Sequence, residues 1–503
     1  MPGISLGLAR INRLLSLLRS PQLATPIVHI SGTNGKGSVS AYLSSILSHS
    51  QLAVGRFNSP HLVDEWDCVQ LHGRAVDAPQ FYSVKREVEQ VSQKEGVGAT
   101  SFEVLTATAF SLFARADPPL DLAVVEVGMG GAEDATNVVP ADKTLLSVVT
   151  SVDLDHQKFL GDTVHEIAQV KAGIAREGGD VVLSVQAHAE AREAVLAVAR
   201  AKRATVWEAG EATLLPPADE PNKPNAPNAQ ALPPPPLVTI PLDATSVHPP
   251  SAAPLPTSPA SLTTRLPLPG SYQLSNAATA VLAAQLLRTL SRTCALVPKL
   301  ESRVTDASMR SGVEATRWPG RLSWLSLTLP ASPPSSATSR APVKGPWRVL
   351  LDGAHNPSSA ALLAAYLDSL RPPVRPAALI FALSAPRDPA DVLRPLVRAL
   401  AGGGTGEGAV TVVCTAFTPP AGMDWVRATA PAELAHACAA LVRAEEGLAA
   451  RVRVAEAEDV EGALRLLDEA GVGGAGTTVV AGSLYLAADV LRLERRVGRD
   501  EAR

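Results

Sequence analysis

The ten residues His29-Ile30-Ser31-Gly32-Thr33-Asn34-Gly35-Lys36-Gly37-Ser38 constrain the fold of this chain more than any other stretch. They continue a short apolar run, Ile27 to Ile30, that predicts a buried strand. Beyond them Val39, Tyr42, Leu43, Ile46 and Leu47 recur at i, i+3, i+4, i+7 and i+8, the apolar stripe of a helix. A strand, a Gly-rich turn and a helix in succession make a cradle for phosphate. Glycines let backbone N–H groups approach an anion, and the helix N-terminus adds partial positive charge. Lys36 supplies a full charge for the β- and γ-phosphates of a nucleotide. The loop is shorter than the Walker pattern: Ile30 stands where its first Gly would be, and Gly37 where its Ser or Thr would be. An ordinary Gly-rich turn is the competing account, and a lysine at the phosphate position argues against it.

A chain of 503 residues is long enough for two or more domains. Its 46% hydrophobic and 19% charged residues are those of a globular enzyme. A net charge of −4 without a basic stripe argues against nucleic-acid binding. Cys68, Cys294, Cys414 and Cys438 have no CxxC spacing, which fits a reducing compartment and neither a disulfide scaffold nor a zinc site. No apolar run approaches the ~18 residues of a membrane span. The first acidic residue is Asp64, and Arg10, Arg13 and Arg19 punctuate a Leu-rich amphipathic start that resembles a mitochondrial transit peptide. A first strand near Ile27 leaves little room for a removable leader. A structural helix over Leu6 to Leu18 and a cytoplasmic location are therefore expected, with mitochondria as the alternative.

Val-rich runs at 122–127, 145–149 and 181–183 suit a parallel sheet buried on both faces. Helices are expected at 103–114 and 164–176. From about Leu214 to Leu266 the composition turns to Pro, Ala, Ser, Asn and Thr, with Pro233 to Pro236 the extreme. That stretch reads as a mobile surface insertion without regular helices, and a smaller one follows at 331–344. Alternation then resumes. Strands are expected at 347–351, 378–383, 410–414, 452–455 and 477–481, and helices at 359–370, 391–401, 432–444, 460–470 and 484–497. This pattern makes the fold class α/β, with a second doubly wound unit and a site in the cleft between the two.

Few other residues carry chemistry by themselves. Glu126 ends an apolar strand, where parallel sheets bind ligands, and is a candidate Mg²⁺ ligand; a solvated strand-end acid is the alternative. Asp134 could pair with two adjacent N–H donors of a heterocycle, or cap a turn. His156 could ligate a metal or be structural, and Lys171 alone would be a surface lysine. Ser59 could reach a metal or phosphate from the loop Ser59-Pro60-His61-Leu62. Asp352 to Pro357 puts three polar side chains on one strand-to-helix turn, where Asn356 could also be an N-cap.

Taken together, these segments resemble the folylpolyglutamate synthase and dihydrofolate synthase ligases, relatives of the Mur ligases. The resemblance rests on Ser31 to Ser38, Asn58 to Leu62, Ser101 to Thr106, Glu126 to Gly131 through Asp134-Ala135-Thr136-Asn137, and Asp155-His156 to Phe159-Leu160-Gly161. It continues through Lys171 to Ile174, Trp318 to Arg321, Asp352 to Pro357 and Gly482 to Tyr485, in family order over nearly the whole chain. It implies a Mur ligase-like ATP-binding domain over 1–312, carrying the Pro-rich insertion, and a smaller Rossmann-like glutamate-ligase domain over 313–503.

The resemblance also implies roles. Asn34, Gly35, Lys36, Gly37 and Ser38 would hold ATP, completed by Asn276, Arg321 and Asp352. Ser59, Glu126 and His156 would bind two Mg²⁺ ions, and Lys171 would be carbamylated by CO₂. Lys36, Lys171, His156 and Glu126 would be catalytic. Phe102 and Asp134 would contact the pterin, and His355 would orient glutamate. Two departures stand out: Ala132-Glu133 replace the family's Arg-Leu, and Val170 replaces a Glu. The implied reaction is ATP-dependent ligation of L-glutamate through an acyl phosphate. Ile4 to Ile11 and Gly55 to His61 look like the fungal dihydrofolate synthases, which use 7,8-dihydropteroate. A folylpolyglutamate synthase acting on tetrahydrofolate, a bifunctional enzyme and a catalytically silent nucleotide-binding protein are the alternatives. The expected partners are these small molecules, with no membrane and no nucleic acid, for a monomer.

Overall fold

The structure, a computed structural model, describes residues 6–216, 234–244, 246–249, 260–328, 347–370, 376–402, 409–420, 426–472 and 477–501. Two large sheets organise them, each covered by helices on both faces, beside a smaller third sheet.

The first sheet has nine strands among the described residues. Its spatial order is Ser246–His248, Thr205–Glu208, Asp180–Leu183, Thr144–Val149, Ile27–Ser31, Leu122–Glu126, Val54–Phe57, Val69–Leu71 and Arg74–Ala75. The six from Thr205–Glu208 to Val54–Phe57 run parallel, and antiparallel strands close both edges. Ile27–Ser31, first in sequence, lies at the centre between Leu122–Glu126 and Thr144–Val149. Chain order reverses there, so the crevice beyond its carboxyl end is the topological switch point where such sheets bind ligands. All five of its residues are buried, as its apolar run requires.

On one face pack Lys36–His49, Tyr272–Thr289 and Asp306–Ala315, burying Val39, Tyr42, Leu43, Val281 and Val313. On the other lie Ala9–Leu17, Ala78–Lys94 and Ser101–Ala114. The expected amphipathic N-terminal helix is present, with Ile11, Leu14 and Leu15 fully buried. Thr100 and Glu103 form a capping box at the start of Ser101–Ala114, and Arg10 reaches back to Glu103 at 3.0 Å. The helix expected over 164–176 ends at Ala172.

The Pro-rich insertion needs correction. Its residues 217–233, 245 and 250–259 lie outside the described set, as does the smaller insertion at 331–344. Its remainder is structural: Thr213–Leu214, Leu237–Pro241 and Ser261–Arg265 form a three-stranded antiparallel sheet. Val238, Ile240 and Leu262 from it are buried in the main core. The two-residue alternation that turns Val238 and Ile240 to one side is a strand signal, which the surrounding proline obscured.

The second sheet has six described strands, in the order Ser323–Leu327, Trp347–Leu351, Thr477–Ala481, Pro376–Phe381, Val410–Cys414 and Val452–Glu456. Only Ser323–Leu327 is antiparallel. Pro357–Ser369, Pro389–Gly402 and Pro431–Ala444 cover one face; Val460–Glu469 and Leu484–Glu501 cover the other. Asp306–Ala315 spans the expected boundary at 312/313 and packs on the first unit, with Gly312 against the backbone of Ile46. We therefore place the division in the connector 316–322. Among the described residues no helix is long and apolar enough to cross a membrane.

Candidate active site

The loop 32–35 bends sharply out of the central strand, and Gly35 at φ 94° caps the helix Lys36–His49. That left-handed conformation suits glycine, and the Asn276 side chain fills the space a Cβ would take. Asn276 donates to Gln273 Oε1 at 3.0 Å, and Gln273 donates to Ser38 Oγ at 3.2 Å. The helix Tyr272–Thr289 therefore braces the loop from above. Gly37 leaves room for the Trp318 ring, whose Cζ2 would lie 2.6 Å from a Cβ there.

Lys36 and Lys171 converge. Each Nζ donates to the carbonyl oxygen of Gly32 at 3.0 Å, and Lys36 also donates to Thr33 O at 3.1 Å. Lys171 is 2% exposed. Burial and then the charge of Lys36 pull its pKa down to about 7. A lysine that alone would be a surface residue is here a buried amine, partly neutral at physiological pH.

Glu126, at the end of its strand, is buried and accepts from Asn58 Nδ2 at 2.6 Å. Burial pushes its carboxyl up, against the opposing pull of Lys36, Asn58, Arg321 and Arg56. Ser59 follows Asn58 directly. The carboxylate of Asp67 accepts from the backbone N–H groups of Leu62, Val63 and Asp64, which fixes the Ser59 loop. His156 begins a short helix with a left-handed backbone, and its ring is 48% exposed beside Asp155. Burial lowers its pKa, with Lys171, Lys36 and Arg387 adding to the effect and Asp155 opposing it. The imidazole is therefore neutral at pH 7 and able to ligate.

Among the described residues no three His, Cys, Asp or Glu side chains form a metal cage. One hydroxyl, one desolvated carboxylate and one neutral imidazole fit an ion such as Mg²⁺ only if it draws its remaining oxygens from phosphate and water.

Phe102 and Asp134 part company. The half-buried Phe102 ring lies where a Cβ on Gly128 would stand and stacks on Phe57 at 6.3 Å. Asp134 is 2% exposed, and its carboxylate accepts from Met129 N at 2.8 Å, Thr136 N at 3.0 Å and Thr136 Oγ1 at 2.5 Å. Its lone pairs serve its own loop, so the geometry favours the turn-capping reading over contact with a heterocycle. The two family departures meet: Ala132 N–H donates to Val170 O at 3.0 Å, and Ala132 packs on Gly173.

On the connector, Arg321 Nη1 lies 2.5 Å from where a Cβ on Gly353 of the second unit would be. Asp352 is buried and accepts from Leu322 N and Ala354 N, both at 2.8 Å. It braces the Arg321 turn and does not face open solvent. His355 Nδ1 lies 2.7 Å from Gly353 O. A carbonyl only accepts, so Nδ1 carries the proton and Nε2 is an acceptor. Burial takes this histidine down to about 4. Asn356 is an N-cap, accepting from Ser359 N at 2.8 Å, as the competing reading had it.

The sequence reading missed Arg387. It is exposed on the turn after Pro376–Phe381, and its charge acts on His355 of its own unit and on His156 of the other. Its position after a strand of the second sheet was the only available signal. Also missed was the stacking of Arg56 on Trp318, with the guanidinium carbon 4.8 Å from the ring centroid.

A phosphate loop at the switch point of one doubly wound unit, faced by cationic and imidazole side chains of another, is the architecture of a nucleotide-dependent ligase. A family described as "Dihydrofolate synthetase, C-terminal domain" matches residues 337–493. The chain is 29% identical over 490 residues to "Probable dihydrofolate synthetase" of Schizosaccharomyces pombe, covering 97% of this chain and 98% of that one. It is 30% identical over 366 residues to "Dihydrofolate synthase/folylpolyglutamate synthase" of Bacillus subtilis, covering 72% of each. The match to "Dihydrofolate synthetase" of Saccharomyces cerevisiae is 41% identical over 176 residues, 35% of this chain and 41% of that relative.

Folylpolyglutamate synthase of Mycobacterium tuberculosis, solved with ADP and AMPPCP, superposes with a TM-score of 0.67 at 26% identity, covering 97% of this chain and 95% of that one. E. coli FolC, solved with DHPP and ADP, shares the fold with a TM-score of 0.68 at 23% identity, covering 99% and 95%. The chain belongs to the dihydrofolate synthase and folylpolyglutamate synthase family and is a ligase of that class.

Proposed function

We propose that this ligase joins L-glutamate to 7,8-dihydropteroate, giving dihydrofolate, ADP and phosphate. The observation that carries this reading is the cleft itself, where the phosphate loop and the Lys36–Lys171–Glu126 cluster face Arg321, His355 and Arg387. The near full-length similarity to the S. pombe relative supports dihydropteroate as the acceptor. The dual name of the B. subtilis relative favours, as a second reading, a bifunctional enzyme that also extends tetrahydrofolate.

In the proposed reaction a carboxylate oxygen of the acceptor attacks the γ-phosphorus. An O–P bond forms, the β–γ bridging bond breaks, and its electron pair leaves with ADP. The glutamate amine then attacks the acyl carbon, losing a proton, and phosphate departs. Asn34 to Ser38 cradle the phosphates, while Lys36 and Arg321 offset the charge that builds up on the transferred group. Ser59, Glu126 and His156 would hold Mg²⁺, which when bound supplies further charge neutralisation. Two ions accord with the family resemblance.

Carbamylation would turn Lys171 from a cation into an anion, relieving its repulsion with Lys36 and giving a metal another oxygen ligand. His355 Nε2, a neutral acceptor, suits the glutamate amine, and Arg387 suits a glutamate carboxylate. Phe102 offers a ring face to the pterin. Closing the cleft excludes water that would hydrolyse the acyl phosphate. We place the enzyme in the cytoplasm as a monomer, a reading consistent with its four free cysteines.

The acyl phosphate is tested by isotope transfer. Dihydropteroate labelled with ¹⁸O in its carboxylate should deliver one labelled oxygen to each phosphate released. Unlabelled phosphate would rule out the acyl-phosphate route.

A further inference from the structure

Arg56 is a buried cation that no carboxylate of the described residues contacts directly. It sits on the strand Val54–Phe57, opposite Val124 of the strand that ends in Glu126. Two residues along the same strand direction, and so on the same face, Asn58 binds Glu126 Oε2 and accepts from Ser40 of the loop helix. Arg56 therefore points to the side of the sheet that carries the phosphate loop. It is 8% exposed, and its Nε is sealed from solvent without a hydrogen-bond partner. Among the described residues its guanidinium makes no ion pair or hydrogen bond.

What holds it is Trp318. The guanidinium carbon lies 4.8 Å from that ring's centroid, and the Cζ2 and Cε2 atoms of the same ring close on Gly37 at the start of the loop helix. Stacking on an aromatic face fixes the plane of a guanidinium while leaving its in-plane N–H donors unused. Burial brings its pKa down to about 10, against the opposing pull of Glu126 and Asp67, so it stays charged at every physiological pH. Burying an unpaired charge is costly unless an anion completes the site.

We propose that Arg56, oriented by Trp318, is a phosphoryl ligand of this enzyme, donating to the terminal phosphoryl group as it passes from nucleotide to carboxylate. The inference rests on the ATP reading above. It adds a cation that belongs to the first unit but takes its orientation from Trp318 on the connector to the second. The two units must then be correctly juxtaposed for the cation to be aimed.

The test compares ADP with the triphosphate analogue AMPPCP, each binding to the full-length enzyme with Mg²⁺ by calorimetry. Loss of a charge-assisted hydrogen bond weakens binding by roughly tenfold or more. Arg56→Ala should therefore weaken AMPPCP by about tenfold or more and change ADP by less than about twofold. Arg56→Lys, which keeps the charge without the planar fork, should fall between, and it carries the test if the alanine variant does not fold. Equal losses for both nucleotides, or no loss for either, would overturn the assignment. A wild-type chain that bound neither nucleotide would refute the ATP reading, and this one with it. A wild-type chain that bound both, with no selective loss in the variants, would refute the Arg56 assignment alone.

Discussion

Lys36 and Lys171 share one carbonyl, that of Gly32, and burial, followed by the charge of Lys36, sets the chemistry of the second. A pKa depressed to about 7 means that the fraction of neutral amine rises as pH climbs through 7. Carbamylation consumes the neutral amine, so at fixed dissolved CO₂ it should increase from pH 6 to pH 8. The ¹³C carbamate signal from labelled bicarbonate reads this directly and should vanish in Lys171→Arg; a signal flat across that range would contradict the assignment. For Lys36, the account expects Lys36→Ala to abolish turnover with the fold intact, while near-normal activity would refute its role.

Lys36 and Glu126 were legible in sequence because each is placed by its own strand and turn. Asp134 and Asp352 were not, because whether a carboxylate faces a ligand or its own backbone depends on how the loop closes. Arg387 and the Arg56–Trp318 pair were illegible for a simpler reason: their neighbours are hundreds of residues away in sequence or lie on the other unit.

At the level of elements, the loop from Glu126 to Asn137 is held by side-chain acceptors more than by regular structure. Asp134 serves two backbone N–H groups and the Thr136 hydroxyl, which in turn meets the buried His29 Nε2 at 2.8 Å. Asp134→Asn puts an N–H₂ group where an acceptor is needed. It should cost about 1–3 kcal/mol, measurable as a lower denaturation midpoint. The KM for the pterin substrate should rise more than that for ATP, and equal rises would argue against this loop shaping the pterin side.

The helix Asp306–Ala315 comes so close to Lys36–His49 that Gly312 leaves no space for a Cβ beside Ile46. Gly312→Ala should destabilise by about 1–3 kcal/mol through overpacking; an unchanged midpoint would mean that the helices separate readily. The apolar runs of both sheets announced their strands, some to the residue, as at Trp347–Leu351 and Thr477–Ala481. The strands Leu237–Pro241 and Ser261–Arg265 escaped notice because a proline-rich composition masked a short period-two pattern.

Across the whole molecule, the C-terminal helix ties one unit to the other. Arg492 donates to Val63 O and Arg495 pairs with Asp64 at 3.0 Å, both in the loop that follows Ser59. An exposed pair of this kind contributes only about 0.2–1 kcal/mol to stability, so its effect should appear in coupling. Replacing Arg492 and Arg495 by Ala should raise the ratio of ATP hydrolysed to amide formed while moving the unfolding midpoint little. An unchanged ratio would separate this contact from catalysis. Two α/β units with a cleft between them could be read from the alternation of strands and helices, whereas the contacts that join the units could not.

The most direct test of the account is ligation of radiolabelled glutamate with ATP and Mg²⁺, offering dihydropteroate and tetrahydrofolate separately. Incorporation with dihydropteroate is predicted, and incorporation with both would mark the enzyme as bifunctional. Incorporation with tetrahydrofolate alone, or with neither, would contradict the proposed function.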